Sequence, residues 1–275
     1  MMKYLPLFFL ISNAFAVIDY SQVAPKSKTS RTSSSTWYKG MNMGASYEAI
    51  SPKQAETNLV KLMATYQTNF NVYLDTSFWA GKNGGDSFGA GNMEAKVGFN
   101  WLKMGNTHDL ATLDMVAGVN FSSWDSNYAS GRLDQVYSLL SSKRFVSFLI
   151  GLGAEWRISG DSKIEEVASI GNVGTYFAMA GWEISSDIRF VLEGGIVSIS
   201  PGEPNDSGNY LNEKMKYTYI SPLLQLGIFS QLWVELGAAF KMNNEEYSDT
   251  LANARLYDLK GIYGNSLFTG IKYSL

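Results

Sequence analysis

The chain contains no cysteine, one histidine and six prolines in 275 residues, and only 17% of it is charged. Without cysteine there is no disulfide framework and no redox-active thiol. A single imidazole cannot build a Cys/His metal centre, so no metal site of that type is expected. Charge of one sign is also missing: 22 Lys and Arg face 25 Asp and Glu, and the net −3 offers nucleic acid no basic surface. No apolar run approaches the roughly 18 residues of a membrane helix, and the mean hydropathy is −0.09. What is plentiful is aromatic side chain (14%) and glycine (26 residues). That is too much ring for a disordered chain, and it suits strands and turns.

The N-terminus carries an export signature. Met1, Met2 and Lys3 make a short positive start, Tyr4 to Ile11 is apolar, and Ala14-Phe15-Ala16 has the small-x-small pattern of a signal peptidase site. Residues 1–16 are expected to be a cleaved signal peptide. Residues 17–36 are mostly polar, rich in Ser and Thr, with Lys26, Lys28 and Arg31. Such a stretch buries too little surface to offset its ordering entropy, so a disordered periplasmic tail is expected.

From Trp37 onward the chain alternates, in segments of about ten residues with apolar side chains on one face and polar ones or glycine on the other. In 93–101, Met93, Ala95, Val97, Phe99 and Trp101 oppose Glu94, Lys96, Gly98 and Asn100. In 146–157, Val146, Phe148, Ile150, Leu152, Ala154 and Trp156 oppose Ser147, Leu149, Gly151, Gly153, Glu155 and Arg157. Segments 112–122, 176–184, 188–197, 217–228 and 232–242 repeat the scheme, with no charge on an apolar face. Linking the segments predicts about twelve strands: 37–50, 57–67, 69–80, 91–103, 109–122, 131–141, 144–157, 174–185, 188–199, 217–228, 232–242 and 264–275. Tight links are expected near Thr68, 105–107, Ser141-Ser142, 185–187 and 229–231. Longer loops fill 81–90, 123–130, 158–173, 200–216 and 243–263. Leu59, Leu62, Met63 and Tyr66 also stand at helical spacing, so 57–67 is a strand or a short helix. The parity of 131–141 is ambiguous, and the count is therefore twelve or ten.

A soluble sandwich alternates with its apolar face inward, a barrel in lipid with it outward. The polar face here is rich in glycine (Gly98, Gly118, Gly151, Gly153, Gly181, Gly195, Gly227, Gly237, Gly270), which suits a crowded, curved interior. Apolar-face aromatics gather at segment ends (Phe78, Trp101, Phe121, Trp156, Trp182, Phe240, Tyr273), as interfacial belts do. Closure leaves no sheet edge unpaired in lipid. The expected fold is all-β: a transmembrane antiparallel up-and-down β-barrel over 37–275. Its lumen-facing charges are the acids Glu48, Asp75, Glu94, Asp114, Glu155, Glu183, Glu193 and Glu235, and the bases Lys61, Lys96, Arg157, Arg189, Lys241 and Lys272. Pro222 on the lipid side of a strand predicts a bulge.

Leader, alternating segments and C-terminal strand together resemble bacterial outer-membrane β-barrel proteins, in architecture rather than in any one subfamily. The resemblance implies contact with outer-membrane lipid and lipopolysaccharide. It also implies insertion by barrel machinery that reads a terminal Gly-x-x-apolar-x-aromatic pattern. Gly270, Tyr273 and Leu275 stand at those positions, with Leu275 in place of the final aromatic. Long loops are expected outside the cell and residues 105–108 in the periplasm. Enzymes that resemble this architecture rely on a histidine near the outer rim. Here His108 falls in a short turn at the other end, so no catalytic residue is expected, and no cofactor motif is found. The acidic pairs Glu165-Glu166 and Glu245-Glu246 are expected to be solvated loop charge.

Two readings of function follow. One is a passive channel for small polar solutes, with a weak cation preference because the inward set holds more acids than bases. The other is a non-conducting structural or adhesive barrel, its interior locked by ion pairs. On the lipid face, Leu152→Arg is expected to cost about 2–4 kcal/mol. The inward Gly153→Ser is expected to be tolerated better, provided packing there is loose.

Overall fold

The computed structural model describes residues 40–275 apart from 52–56, 69–70, 84–86, 106–108, 123–125, 166, 203–213 and 244–253. The expected signal peptide (1–16) and tail (17–36), His108, Glu166 and Glu245-Glu246 lie outside the described residues.

Twelve antiparallel strands close into one barrel in which every strand pairs with its chain neighbours. They are β1 (Met41–Ser51), β2 (Thr57–Gln67), β3 (Val72–Asn83), β4 (Gly89–Met104), β5 (Ala111–Phe121), β6 (Leu133–Phe145), β7 (Phe148–Ile158), β8 (Val173–Ser185), β9 (Ile188–Ile199), β10 (Met215–Phe229), β11 (Leu232–Lys241) and β12 (Asn265–Ser274). The ring is completed by β1 and β12, in register from Asn42 opposite Ser274 to Ser51 opposite Asn265. The connections of one rim, here the turn rim, run from two to six residues, and those of the other, the loop rim, from five to 23.

Residues 57–67 form a strand. Ladders from β1 and β3 flank them along their length, and that tertiary pairing overrides the helical spacing of Leu59, Leu62, Met63 and Tyr66. The β6–β7 turn lies at Val146-Ser147 rather than at Ser141-Ser142. The two serines continue the strand, and Ser142 places its hydroxyl inside, 2.7 Å from that of Thr112. Val146 takes the left-handed backbone (φ 52°) that a two-residue hairpin demands. The Arg144 Nε donates to the Val146 carbonyl across 2.9 Å and fixes the turn.

Pro222 makes no bulge. Register with β11 is the same on either side of it, Ile220 facing Phe240 and Leu223 facing Gly237. Its missing N–H falls in a short gap of that ladder, where the Ser221 hydroxyl donates to the Ala238 carbonyl at 2.8 Å. Register shifts occur instead at Phe78/Ala80, Asn100/Leu102, Glu183/Ser185 and Gly227/Phe229.

The outer face is an apolar band. Leu62, Leu74, Val97, Leu139, Ile150, Leu192, Leu236 and Ile271 are all exposed, and Leu152 is 67% so. A girdle of that size is far beyond what a water-facing surface carries, and it matches hydrocarbon. Trp101, Trp182 and Tyr273 are exposed at the turn rim, Trp156 and Phe240 at the loop rim, where half-exposed Phe121 ends β5. Phe78 is half-buried and lies nearer mid-strand than either rim.

Inside, ring packs over glycine. Tyr73 faces Gly98, Phe177 faces Gly153, Tyr219 faces Gly195 and Phe268 faces Gly237 across neighbouring strands. A Cβ on any of these glycines would meet the facing ring at 1.9–2.6 Å. The inward glycine face is thus the floor on which interior aromatics lie. Gly153→Ser is not the mild change that loose packing would allow, because a Cβ there falls 2.2 Å from Phe177 Cζ.

Candidate functional site

The interior holds most of the barrel's charge. Glu48, Lys61, Asp75, Glu94, Lys96, Asp114, Glu155, Arg157, Arg189, Glu193, Glu235 and Lys272 are all buried within it. Glu183 and Lys241, at strand ends, are half-buried. Their period-two positions put them on the inner wall, and closure of the ring brings strands distant in sequence within ion-pairing reach.

At the waist, Lys96 on β4 bridges Glu94 at 2.6 Å and Glu155 on β7 at 3.4 Å, and the Ser138 hydroxyl donates to Glu155 at 3.1 Å. Towards the turn rim the pairs are shorter-range. Asn100 donates to Asp114 and Gln225 to Glu235, each at 2.7 Å. Thr65 donates to Asp75 at 2.9 Å, Arg144 pairs with Glu183 at 2.5 Å, and the Arg189 guanidinium stacks 3.9 Å from the Trp233 ring centroid. Strands alone build this half.

The loop-side half is built differently. The β11–β12 connection, expected to be a solvated external loop over 243–263, turns back into the barrel. Ala254, Leu256, Asp258, Leu259, Lys260, Ile262 and Tyr263 are all buried. Its apolar members join a core with Ile50, Leu59, Trp79, Tyr128, Val197, Ile199, Tyr217 and Tyr219. Tyr257 packs against the rings of Trp79, Tyr128 and Tyr263 at centroid distances of 5.5, 5.8 and 4.9 Å. Polar contacts fix the segment as well. Asp258 pairs with Arg157 and accepts from Asn120 at 3.0 Å. Lys260 pairs with Glu193 at 2.8 Å, and Arg132 donates to the Ala254 carbonyl at 2.9 Å. Arg255 reaches the carbonyls of Ser126 (2.5 Å) and Ala129 (2.9 Å), tying the segment to the β5–β6 loop. Burial lowers the Lys260 ammonium to about 8, with Glu193 opposing the shift.

Two cavities border this segment. One is lined by Ser46, Glu48, Leu59, Lys61, Trp79, Tyr257 and Asp258, the other by Glu48, Tyr257, Leu259, Tyr263 and their neighbours. Each has room for about one water.

No protein-family model matches the chain, and no curated protein matches it. Solved structures do. An outer-membrane channel from Pseudomonas putida F1 superposes with a TM-score of 0.64 at 11% identity, over 88% of this chain and 99% of its own. The NanC porin gives 0.53 at 12% identity over 86% of this chain and 100% of its own. The KdgM porin gives 0.52 at 8% over 85% and 99%. The fold is that of an outer-membrane β-barrel.

In this twelve-strand barrel, several interior residues carry no mark in the period-two pattern of charged positions. Arg132, Asp134 and Arg144 lie where strand parity is hard to read, and Asp258 and Lys260 lie in a loop. A signal for the last two was present. Leu256-Tyr257-Asp258-Leu259-Lys260-Gly261-Ile262-Tyr263 is far more apolar than a water-facing loop. With these residues added, the described interior buries nine carboxylates and eight cations.

Proposed function

We propose that the protein is a passive channel for small polar solutes in the bacterial outer membrane, present here in an occluded state. The observation that carries this reading is the interior of nine carboxylates and eight cations. Replacing buried ion pairs by apolar side chains of similar volume is often neutral or stabilising, so filling the barrel does not by itself call for this charge. A charged lining suits a path for hydrated solutes. The likeness to one structure described as a channel and two described as porins supports the same reading. The exposed apolar band contacts lipid, lipopolysaccharide meets the loop rim, and the barrel machinery inserts the chain through Gly270, Tyr273 and Leu275. No nucleophile–base pair is assigned, and the protein is not proposed to be an enzyme.

The near balance of buried charge makes ion selectivity weak, with at most a slight cation preference. Single-channel recording in planar bilayers tests the proposal: stable open steps support it. Silence from protein that still migrates differently on a denaturing gel before and after boiling overturns it. A second reading, a non-conducting structural barrel, is favoured by the rings packed over glycine and by the two cavities beside the 254–263 segment, each with room for only about one water. Silence would leave that reading standing.

A further inference from the structure

We infer that residues 254–263 are a gate: a plug that docks on the inner wall as a unit and withdraws to open the path. This rests on the channel reading above.

The segment makes no ladder with any strand. Its backbone bonds are its own turns, Leu259 N–H to Leu256, Ile262 N–H to Leu259 and Gly264 N–H to Gly261. Withdrawing it therefore breaks no bond of the twelve-strand ring. Two glycines in left-handed backbone, Gly261 (φ 72°) and Gly264 (φ 129°), join it to β12 and supply a hinge there.

The wall is prepared for both positions. Arg157 pairs with Asp258 of the plug, yet it also has Asp134 and Glu155 at 4.0 Å on the wall. Glu193 pairs with Lys260, yet it also accepts from the Tyr219 hydroxyl at 2.6 Å. Each keeps a partner when the plug leaves, so opening strands neither charge.

The docked state is also imperfect. Beneath and beside the plug, Trp79 Nε1, Tyr217 Oη, Glu48 Oε2 and Asn120 Oδ1 are buried and have no hydrogen-bond partner among the described residues. Burying polar groups unpaired opposes the gain from burying Leu256, Leu259 and Ile262. Withdrawal returns all of them to water, which sets docked and withdrawn states close in free energy. A permanent core has no such compensation.

The absence of native cysteine allows a clean lock. A Cβ on Gly261 lies 3.7 Å from the Cβ of Lys241 at the end of β11, close to the mean disulfide separation of about 3.8 Å. The Lys241→Cys/Gly261→Cys protein should be closed when oxidised, with open probability at least about tenfold lower than after reduction in the same bilayer. The release variant Asp258→Asn should open about tenfold more often than the unmodified protein. Its barrel should keep the same heat-shifted migration on gels. If the unmodified protein conducts and neither oxidation nor release changes its open probability, the gate is overturned while the channel stands. If the unmodified protein is silent though folded, the channel reading falls and the gate with it.

Discussion

The two halves of the barrel interior solve the same problem differently. From the turn rim to the waist, strands alone fill the space, with side chains from alternate positions meeting across the ring as Lys96 meets Glu155. Towards the loop rim the wall is more apolar, and a segment of loop completes the packing. Loss of a partner in the strand-built half should therefore destabilise the barrel itself. Loss of a partner in the plugged half should change only how the segment docks.

The largest effect is expected at the waist. Lys96→Met leaves Glu94 and Glu155 buried without their shared cation and should cost about 3–5 kcal/mol of barrel stability. Urea unfolding in detergent or lipid would measure it. Asp258→Asn breaks a pair that is just as buried, yet its loss in the same assay should be much smaller. Equal losses would erase the distinction between the halves. Next comes Leu152→Arg on the lipid face, at about 2–4 kcal/mol. A harmless Leu152→Arg would mean the outer face does not meet hydrocarbon.

Gly153→Ser should cost about 1–3 kcal/mol through overpacking against Phe177. Shortening the ring by Phe177→Ala in the same chain should make the serine nearly neutral, so that the double variant costs less than the two single ones added. The smallest effect concerns pH. Lys260 titrates near 8 when docked and from 10.5 when free. Between those values the docked plug binds fewer protons, so docking strengthens as pH rises through that window, and below it this lysine contributes no dependence. Open probability should fall between pH 8 and 10, a trend that Lys260→Met removes. Glu193, Glu48, Lys61 and Tyr219 face the ammonium and shape its titration.

Much of this was legible in the sequence for a physical reason. Strand period is an integer, so the alternation of Leu152 with Gly153 and of Phe99 with Gly98 assigns faces without knowledge of the neighbours. Whether 57–67 was strand or helix needed those neighbours, because only the β1 and β3 ladders decide it. The Ser141-Ser142 turn failed for the opposite reason. Serine favours turns in isolation, but here it meets Thr112 in the interior. Asp258 and Lys260 were out of reach of any period-two argument, since their contacts to Arg157 and Glu193 span about a hundred and 67 positions respectively. Only the apolar makeup of their loop betrayed them.

The rings laid over glycine bear on how the barrel assembles. A two-residue turn such as Val146-Ser147 dictates which residues of its hairpin face each other. A connection of the length of 200–214 dictates nothing. The four glycine–aromatic pairs join β3 to β4, β7 to β8, β9 to β10 and β11 to β12, all of them hairpins of the loop rim. A slip of two residues keeps every face correct but drives Phe177 against a side chain at Glu155 or, the other way, moves Met179 off Gly151 and onto Leu149. The pairs thus act as keys, one to a hairpin, that admit a single alignment where the connecting chain imposes none.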